Sequence, residues 1–281
     1  MYNKTMKWLD KLKNFFSRKR KKLGLSLGSG GAKGMAHIGV LKAFEENGIK
    51  FDMVSGTSIG SIVGGMYAAG HDTKEIFEFL REYNILSPKT LLMMKIRGMT
   101  VENLLDRVLG GTYIEDLKLP YFAVACDVAS GDEVIMTSGS LSSAMAASSA
   151  IPPVFKPVLR ENKLLIDGAF VNSVPCDVLK SNGADVVIGV SLTEEENNTE
   201  IKRLIDKKYP DNGVKEVNRL EKGVTAGDYI ITPDLKGFNA TSIFQLDEMY
   251  KRGYESAVKA MPDIIALLEK KKILKKNKKR I

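Results

Sequence analysis

The sequence predicts an α/β fold of three layers, in which helices cover both faces of a mostly parallel central sheet. From Leu23 onward, short apolar runs alternate with helical stretches, and this alternation is typical of parallel sheets built from repeated strand and helix units. The 281 residues are 44% hydrophobic and 27% charged, which is the ordinary balance of a globular protein with a large core.

The predicted elements follow one another in a regular order. The strands are apolar runs bounded by turn residues, and they cover residues 23–27, 51–54, 121–128, 133–137, 164–166, 185–191 and 229–232. The helices have a 3.6-residue apolar period or many small residues, and they cover residues 35–47, 59–69, several segments within 73–109, and 247–269. A hairpin is expected at Ser130-Gly131-Asp132. Residues 193–225 are polar and charged without a clear period, so they are interpreted as an excursion from the fold.

Positive charge is concentrated at the two ends of the chain. The net charge is +8, of which residues 1–22 carry +8 and residues 269–281 carry +7, so the folded body is negative. We expect a basic N-terminal segment (1–22), a single α/β domain (23–269) and a basic C-terminal tail (270–281). Because nucleic-acid-binding proteins place positive charge on a folded face, the tails indicate an anionic membrane surface as partner, and no nucleic acid.

Residues 2–18 have the pattern of an amphipathic helix that lies in a membrane interface. Trp8, Leu12 and Phe15 fall within one helical arc, and lysines flank that arc. A helix docked on the body, or a solvated tail, is the alternative. No apolar run approaches the roughly 18 residues of a transmembrane helix, and the N-terminus lacks the apolar stretch of roughly 7–15 residues in a signal peptide. We therefore expect a cytoplasmic protein, attached peripherally to the inner face of the membrane.

The chain has two cysteines, Cys126 and Cys176. They lie far apart in sequence and are not surrounded by residues at metal-ligand spacing, so they predict buried or free thiols in a reducing compartment. No metal and no other cofactor is expected.

A glycine-rich loop follows the first strand and precedes the first helix, with the sequence Gly28-Ser29-Gly30-Gly31-Ala32-Lys33-Gly34. A P-loop would need serine or threonine after Lys33, and a dinucleotide loop that starts at Gly28 would need glycine at position 33. Both assignments fail. Two interpretations remain: backbone N–H groups that hold some other oxyanion at the positive end of the helix, and a tight structural turn.

A Gly-x-Ser-x-Gly motif is centred on Ser58, with Gly56 and Gly60 on either side. A predicted strand precedes it and a predicted helix follows it, which is the arrangement of a nucleophile elbow. The two glycines lack the side chains that would collide in so sharp a turn. Ser58 is therefore the candidate nucleophile.

The base that would activate Ser58 is less obvious, because the only histidines are His37 and His71. His71 follows a helix that would place it roughly 18 Å from Ser58, and His37, inside the first helix, is more typical of a packed residue. Asp167 ends an apolar strand, where open α/β sheets bind their ligands, and a carboxylate in reach of a hydroxyl can act as its base. An Asp-Gly turn with a purely structural role is the alternative.

Together these stretches resemble the patatin-like phospholipase family, in particular its bacterial members. That family uses a glycine-rich oxyanion loop, a Gly-x-Ser-x-Gly elbow and an Asp-Gly-Ala or Asp-Gly-Gly motif as a Ser-Asp dyad without histidine. The matching positions are Gly30-Gly31-Ala32-Lys33-Gly34, Gly56-Thr57-Ser58-Ile59-Gly60 and Asp167-Gly168-Ala169. Residues 147–155 also look like the family's segment between elbow and aspartate, and the resemblance covers residues 23–192.

The resemblance implies a patatin-like fold and hydrolysis of lipid acyl esters, such as those of phospholipid or lysophospholipid. Ser58 would attack the ester carbonyl, Asp167 would accept its proton, and N–H groups of residues 30–34 would hold the oxyanion. Lys33 stands where relatives commonly have arginine, so the charge is kept but the planar guanidinium fork is lost. Two alternatives are a membrane-binding or regulatory protein with a vestigial site, and an acyltransferase.

Overall fold

A computed structural model describes residues 20–83, 87–192, 199–214 and 223–274. The strands are β1 (Leu23–Leu27), β2 (Met53–Thr57), β3 (Tyr121–Asp127), β4 (Glu133–Met136), β5 (Val158–Arg160), β6 (Lys163–Asp167), β7 (Val186–Val190) and β8 (Tyr229–Ile231). They form one sheet in the order β5-β6-β3-β2-β1-β7-β8, and β4 pairs with β3 off this path.

The helices are α1 (Met35–Glu46), α2 (Ile59–Ala69), α3 (Thr73–Glu82), α4 (Pro88–Arg97), α5 (Val101–Leu109), α6 (Leu141–Ser148), α7 (Cys176–Ser181), α8 (Thr199–Lys208) and α9 (Leu246–Lys270). Short 3₁₀ turns precede α1 (Gly31–Gly34) and follow β6 (Gly168–Phe170). The predicted amphipathic helix over 2–18 and most of the basic tail 270–281 lie outside the described residues. None of the helices that the structure describes is long and apolar enough to span a bilayer.

Two hydrophobic cores lie on opposite faces of the sheet, which confirms the predicted α/β fold class. Leu25 and Ala123 belong to a large core with residues of α1, α2 and α9. Phe122 and Val124 belong to a second core that α7 covers. Side chains alternate between the faces of a strand, and β1, β2, β3 and β7 are buried along their whole length, as expected for a sheet with helices on both sides.

The sheet is parallel in its centre and antiparallel at one edge. Strand β1 pairs in parallel with β2 and β7, as do β2 with β3 and β7 with β8. The predicted hairpin joins β3 to β4 in antiparallel fashion. A second hairpin, which was not predicted, joins β5 to β6 through Glu161 and Asn162. Both residues have positive φ angles, 50° and 62°, which is typical of a two-residue type I′ turn.

Strand β2 extends further than predicted, because residues 55–57 belong to the sheet rather than to a loop. Their small polar side chains are typical of a turn, but the structure buries them and supplies partners. The Ser55 hydroxyl donates to the Pro175 carbonyl at 2.8 Å, and the Thr57 hydroxyl donates to the Asn172 carbonyl at 2.7 Å. Satisfied hydroxyls can be buried at little cost, so β2 ends directly before Ser58.

Two other predictions concern the excursion and the cysteines. Residues 199–208 of the predicted excursion form α8, which contributes the buried Ile205 to a small third core. Cys126 and Cys176 are buried thiols that form no disulfide, as predicted. Burial raises the pKa of Cys176 to about 12, so this thiol stays protonated and unreactive at neutral pH.

Candidate active site

Ser58 occupies the sharp turn between β2 and α2. Its backbone has φ 55° and ψ −127°, and positive φ is uncommon for a residue with a side chain. Such a conformation costs on the order of 1–3 kcal/mol and is found mainly at functional sites. The carbonyl of Ser58 accepts the first hydrogen bonds of the helix, from the N–H groups of Ser61 at 2.9 Å and Ile62 at 3.3 Å.

The two glycines of the motif stand where the backbone approaches itself closely. A Cβ atom on Gly60 would lie 2.1 Å from the Leu27 carbonyl oxygen, and one on Gly56 would lie 2.3 Å from the Gly60 carbonyl oxygen. Both contacts are with backbone, which cannot rotate away as a side chain could. Helix α2 therefore starts in direct contact with the end of β1, and this contact holds the turn in place.

Asp167 is the hydrogen-bond partner of Ser58. The Ser58 hydroxyl donates to Asp167 Oδ2 at 2.6 Å, although both residues are nearly inaccessible, at 4% and 1% exposure. The other carboxylate oxygen, Oδ1, accepts from the Ala169 N–H at 2.8 Å. The Asp167 N–H donates to the Ala150 carbonyl at 3.0 Å. The carboxylate is thus held at both oxygens, with Oδ2 turned toward the serine.

Asp167 is the last residue of β6, so the prediction that it ends a strand is confirmed. The strand runs antiparallel to its neighbour β3. Strand β3 extends beyond the end of β2, and β6 pairs with this extension. Thr57 is opposite Val124, while Asp167 is opposite the next residue, Ala125. The register therefore brings Asp167 level with the end of β2.

Ser148, at the end of α6, is a site residue that the sequence analysis did not single out beyond its place in residues 147–155. Its hydroxyl accepts the Ser58 N–H at 3.0 Å and donates to the Val124 carbonyl at 2.6 Å. It is completely buried. A serine among several others in a small-residue helix carries no local signal of this role, because the contact joins residues 90 positions apart.

The glycine-rich loop lies beside Ser58, and Gly31 and Ala32 line the same pocket. The N–H of Ala32 already donates to the Ala240 carbonyl at 2.8 Å, and that of Lys33 donates to the Gly30 carbonyl at 3.2 Å. Within the described part of the chain, the N–H groups of Gly30 and Gly31 have no such acceptor. Of the predicted residues 30–34, these two glycines are therefore the best placed to offer N–H donors to an oxyanion.

Neither histidine is hydrogen-bonded to Ser58. His37 is fully buried, and its Nε2 lies 2.7 Å from the Gly28 carbonyl, to which it donates. Burial lowers the pKa of His37 to about 4, so the ring is neutral at neutral pH. His71 lies at the surface and contacts Glu75. The interpretation of His37 as a packed, hydrogen-bonded helix residue is confirmed, and it supports the strand end that leads into the glycine-rich loop.

The pocket at Ser58 is small and mostly apolar. Its volume is about 30 Å³, and since one water molecule needs about 10–15 Å³ on this measure, it has room for a small group only. The side chains around it include Ile59, Leu80, Phe155 and Leu246. A reacting group that enters here meets a hydroxyl, a carboxylate behind it, and apolar walls.

Comparison with known proteins links the chain to one family. The family model described as patatin-like phospholipase matches residues 25–180. The mouse protein named patatin-like phospholipase domain-containing protein 6 is 35% identical over 187 residues, a match that covers 62% of this chain and 14% of the mouse protein. An uncharacterized NTE family protein of Mycobacterium bovis is 37% identical over 184 residues, which are 62% of this chain and 50% of that protein. The matched part is thus at most half of these relatives.

Solved structures with similar folds are more distant in sequence. VipD from Legionella pneumophila aligns with 87% of this chain and 67% of its own, with a TM-score of 0.53 and 15% identity. Human GIVD cytosolic phospholipase A2 aligns with 90% of this chain and 60% of its own, with a TM-score of 0.50 and 11% identity. At such low identity the likeness concerns the fold alone.

Proposed function

The chain belongs to the patatin-like phospholipase family, and from that premise we propose that it is a serine hydrolase of lipid acyl esters with Ser58 as nucleophile and Asp167 as base. The observation that carries the proposal is the 2.6 Å hydrogen bond from the Ser58 hydroxyl to Asp167 Oδ2 at a strained turn beside an apolar pocket. A nucleophile and its base need to be within hydrogen-bond reach, and the base needs a third group that orients it. The Ala169 N–H, bonded to Oδ1, is that group here.

In the first half of the reaction, Ser58 Oγ attacks the ester carbonyl carbon while Asp167 Oδ2 accepts the hydroxyl proton. The carbonyl oxygen becomes an oxyanion, which the N–H groups of Gly30 and Gly31 would stabilise. One such donor is typically worth about 3–4 kcal/mol of barrier. The intermediate then expels the alcohol, which takes the proton from Asp167, and leaves an acyl group on Ser58.

In the second half, a water molecule attacks the acyl-serine, and Asp167 accepts a proton from that water. The second tetrahedral intermediate collapses, Ser58 Oγ leaves with the proton from Asp167, and a free carboxylic acid is released. The same carboxylate therefore acts as base and then as acid in each half, which is the usual requirement of general acid–base catalysis.

The proposed substrates are phospholipids or lysophospholipids. Support comes from the apolar walls around Ser58 and from the family, whose name states the substrate class.

We further propose that Lys/Arg-rich residues 1–22 and 270–281 bind the protein to an anionic membrane surface on the cytoplasmic side, since each cation near such a surface contributes about 1 kcal/mol. Removal of residues 2–20 should then weaken sedimentation with anionic vesicles while activity on a soluble ester persists. Equal sedimentation of both forms would contradict the role of the N-terminal segment.

The experiment that tests the proposed nucleophile is labelling with a fluorophosphonate, followed by mass spectrometry of the modified peptide. Wild type should be modified at Ser58, Ser58→Ala should not react, and Asp167→Asn should react much more slowly. Modification of a different serine, or no reaction of a folded wild-type protein, would overturn the proposal. Release of fatty acid from phospholipid vesicles by wild type, and its loss in Ser58→Ala, would then establish the substrate class.

A further inference from the structure

A second and much larger cavity lies next to the pocket at Ser58. It is a groove of about 930 Å³ between helices α4 and α5 on one side and residues 154–159 on the other. That volume lies within the ~300–1,000 Å³ that is typical of ligand sites in proteins. The pocket at Ser58 has only about 30 Å³, so the two cavities differ in the size of group they accept.

The two cavities share a wall. Phe155 lines both the pocket at Ser58 and the groove. Ala146 also lines the groove. It lies two residues before Ser148, whose hydroxyl accepts the Ser58 N–H. The two cavities therefore adjoin at Phe155, which also lines the pocket where a ligand's reactive group would meet Ser58.

The lining of the groove is chemically suited to a hydrocarbon chain. Leu91, Met94 and Val101 border it from the two helices, and Leu159 borders it from β5. Leu159 is 73% exposed, so binding a chain there would remove apolar surface from water, which is favourable by about 25 cal/mol per Å². Charged residues are fewer: Lys95, Lys156 and Glu102 also border the groove.

We propose that this groove binds the acyl chain of the ester substrate, with the ester carbonyl at Ser58 and the chain running past Phe155 between α4 and β5. The inference rests on the proposed function, and it adds that the protein selects long-chain esters over short ones. The pocket at Ser58 accommodates the ester group but is too small for a long chain, and the groove is a larger cavity that shares Phe155 with it.

The test compares two fluorophosphonates that carry an ethyl or a hexadecyl group, because each links its chain covalently to Ser58. The measured quantity is the rate of Ser58 modification by each reagent, in one detergent buffer. Wild type should react faster with the hexadecyl reagent. Leu91→Glu and Leu159→Glu each place a charge in the groove, so each should slow the hexadecyl reaction about tenfold and leave the ethyl reaction nearly unchanged.

The matched control is Leu92→Glu. Leu92 is the neighbour of Leu91 on α4 and is 58% exposed, but it is not part of the groove lining, so its replacement should change neither rate. Circular dichroism and thermal melting establish that each variant is folded, and Leu159 is exposed enough for its replacement to be tolerated if Leu91→Glu fails to fold.

Three results would overturn the inference. The groove variants could leave the hexadecyl rate unchanged, they could slow both reagents equally, or Leu92→Glu could slow the hexadecyl reaction as much as they do. If neither reagent modifies Ser58 in folded wild-type protein, both the proposed function and the acyl-chain site are contradicted. If only the acyl-chain site is wrong, the ethyl fluorophosphonate still modifies Ser58.

Discussion

The elbow around Ser58 and the region of α4 and α5 are built in opposite ways. At the elbow, backbone segments touch one another through Gly56 and Gly60, and little free volume remains. Around α4, apolar side chains are exposed to solvent, with Ile96 at 76% exposure, and a large groove lies beside them. Under the proposed function, the rigid centre would position the reacting groups and the open apolar layer would receive the substrate.

The two regions also obtain their conformations from different sources. Helices α4 and α5 are capped by their own sequence: Ser87 accepts the Thr90 N–H, Thr100 forms a capping box with Asn103, and glycine follows each helix. Ser58 stands at the corresponding position before α2, but its side chain makes no cap. Its hydroxyl is instead bonded to Asp167. The elbow thus depends on tertiary contacts. The substitutions below test how much activity and stability the buried residues at and near the elbow contribute.

The largest effect is expected from Asp167→Asn. An amide cannot accept the serine proton, so kcat/KM on a soluble ester should fall roughly 10²–10⁴-fold. The matched control is Asp127→Asn. Asp127 is also a buried aspartate at the end of a strand, and it accepts the N–H of the residue two positions later, but it has no hydrogen bond to Ser58. Similar losses in both variants would show that the loss is structural rather than chemical.

The next effect is expected from Gly60→Ala. The new Cβ would overlap the Leu27 carbonyl oxygen, so the free energy of unfolding should fall by about 1–3 kcal/mol and most of the activity should be lost. Gly110→Ala is the control in the open region, where a Cβ meets nothing within 4 Å and the residue does not line the groove. It should cost about 1–2 kcal/mol because of its positive φ and should keep the activity. Urea denaturation and an esterase assay measure both quantities. Full activity in Gly60→Ala would contradict the view of a rigid elbow.

A smaller effect concerns the buried His37. Its pKa is lowered to about 4 in the folded protein, whereas the unfolded chain binds the proton with a pKa near 6.5. The unfolded state therefore gains protons first as the pH falls, and His37 should cost the fold about 2 kcal/mol between about pH 7 and pH 5.

Urea denaturation at the two pH values measures this loss, and His37→Gln should reduce the pH dependence. His71→Gln, at the other histidine of the chain, is the control for the substitution itself. An unchanged pH dependence in His37→Gln would show that other groups are responsible.

The smallest effect is expected from Ser148→Ala. The Ser58 N–H would lose its acceptor, and an unsatisfied buried group costs about 1–3 kcal/mol. Activity should fall roughly 2- to 10-fold if half of that cost is felt in the transition state. Ser142→Ala is the control on the same helix, since Ser142 is buried but bonded to Asp106. A normal rate in Ser148→Ala would mean that the turn at Ser58 does not need this contact.

Much of the fold was predictable, because local patterns govern it. The alternation of apolar strands and helices, the stop at Gly70 after α2 and the hairpin at residues 130–132 follow from propensity and turn chemistry that act over a few residues. The strand β5 was missed because it is short and ends in a charged residue, Arg160, so it forms no apolar run, whereas the equally short β8 is apolar throughout. The end of β2 was placed too early because buried hydroxyls look like turn residues until their partners are known.

In the candidate site, too, local motifs could be predicted from sequence, whereas contacts between distant residues could not. Sequence alone identified the elbow, the glycine-rich loop and Asp167 as candidates, since their motifs are contiguous and glycine has few other reasons to recur at such spacing. It could not provide the antiparallel register that sets Asp167 level with the end of β2, the support of Ser58 by Ser148, or the groove behind Phe155. Those features join residues far apart in the chain, and only packing of the folded protein brings them together.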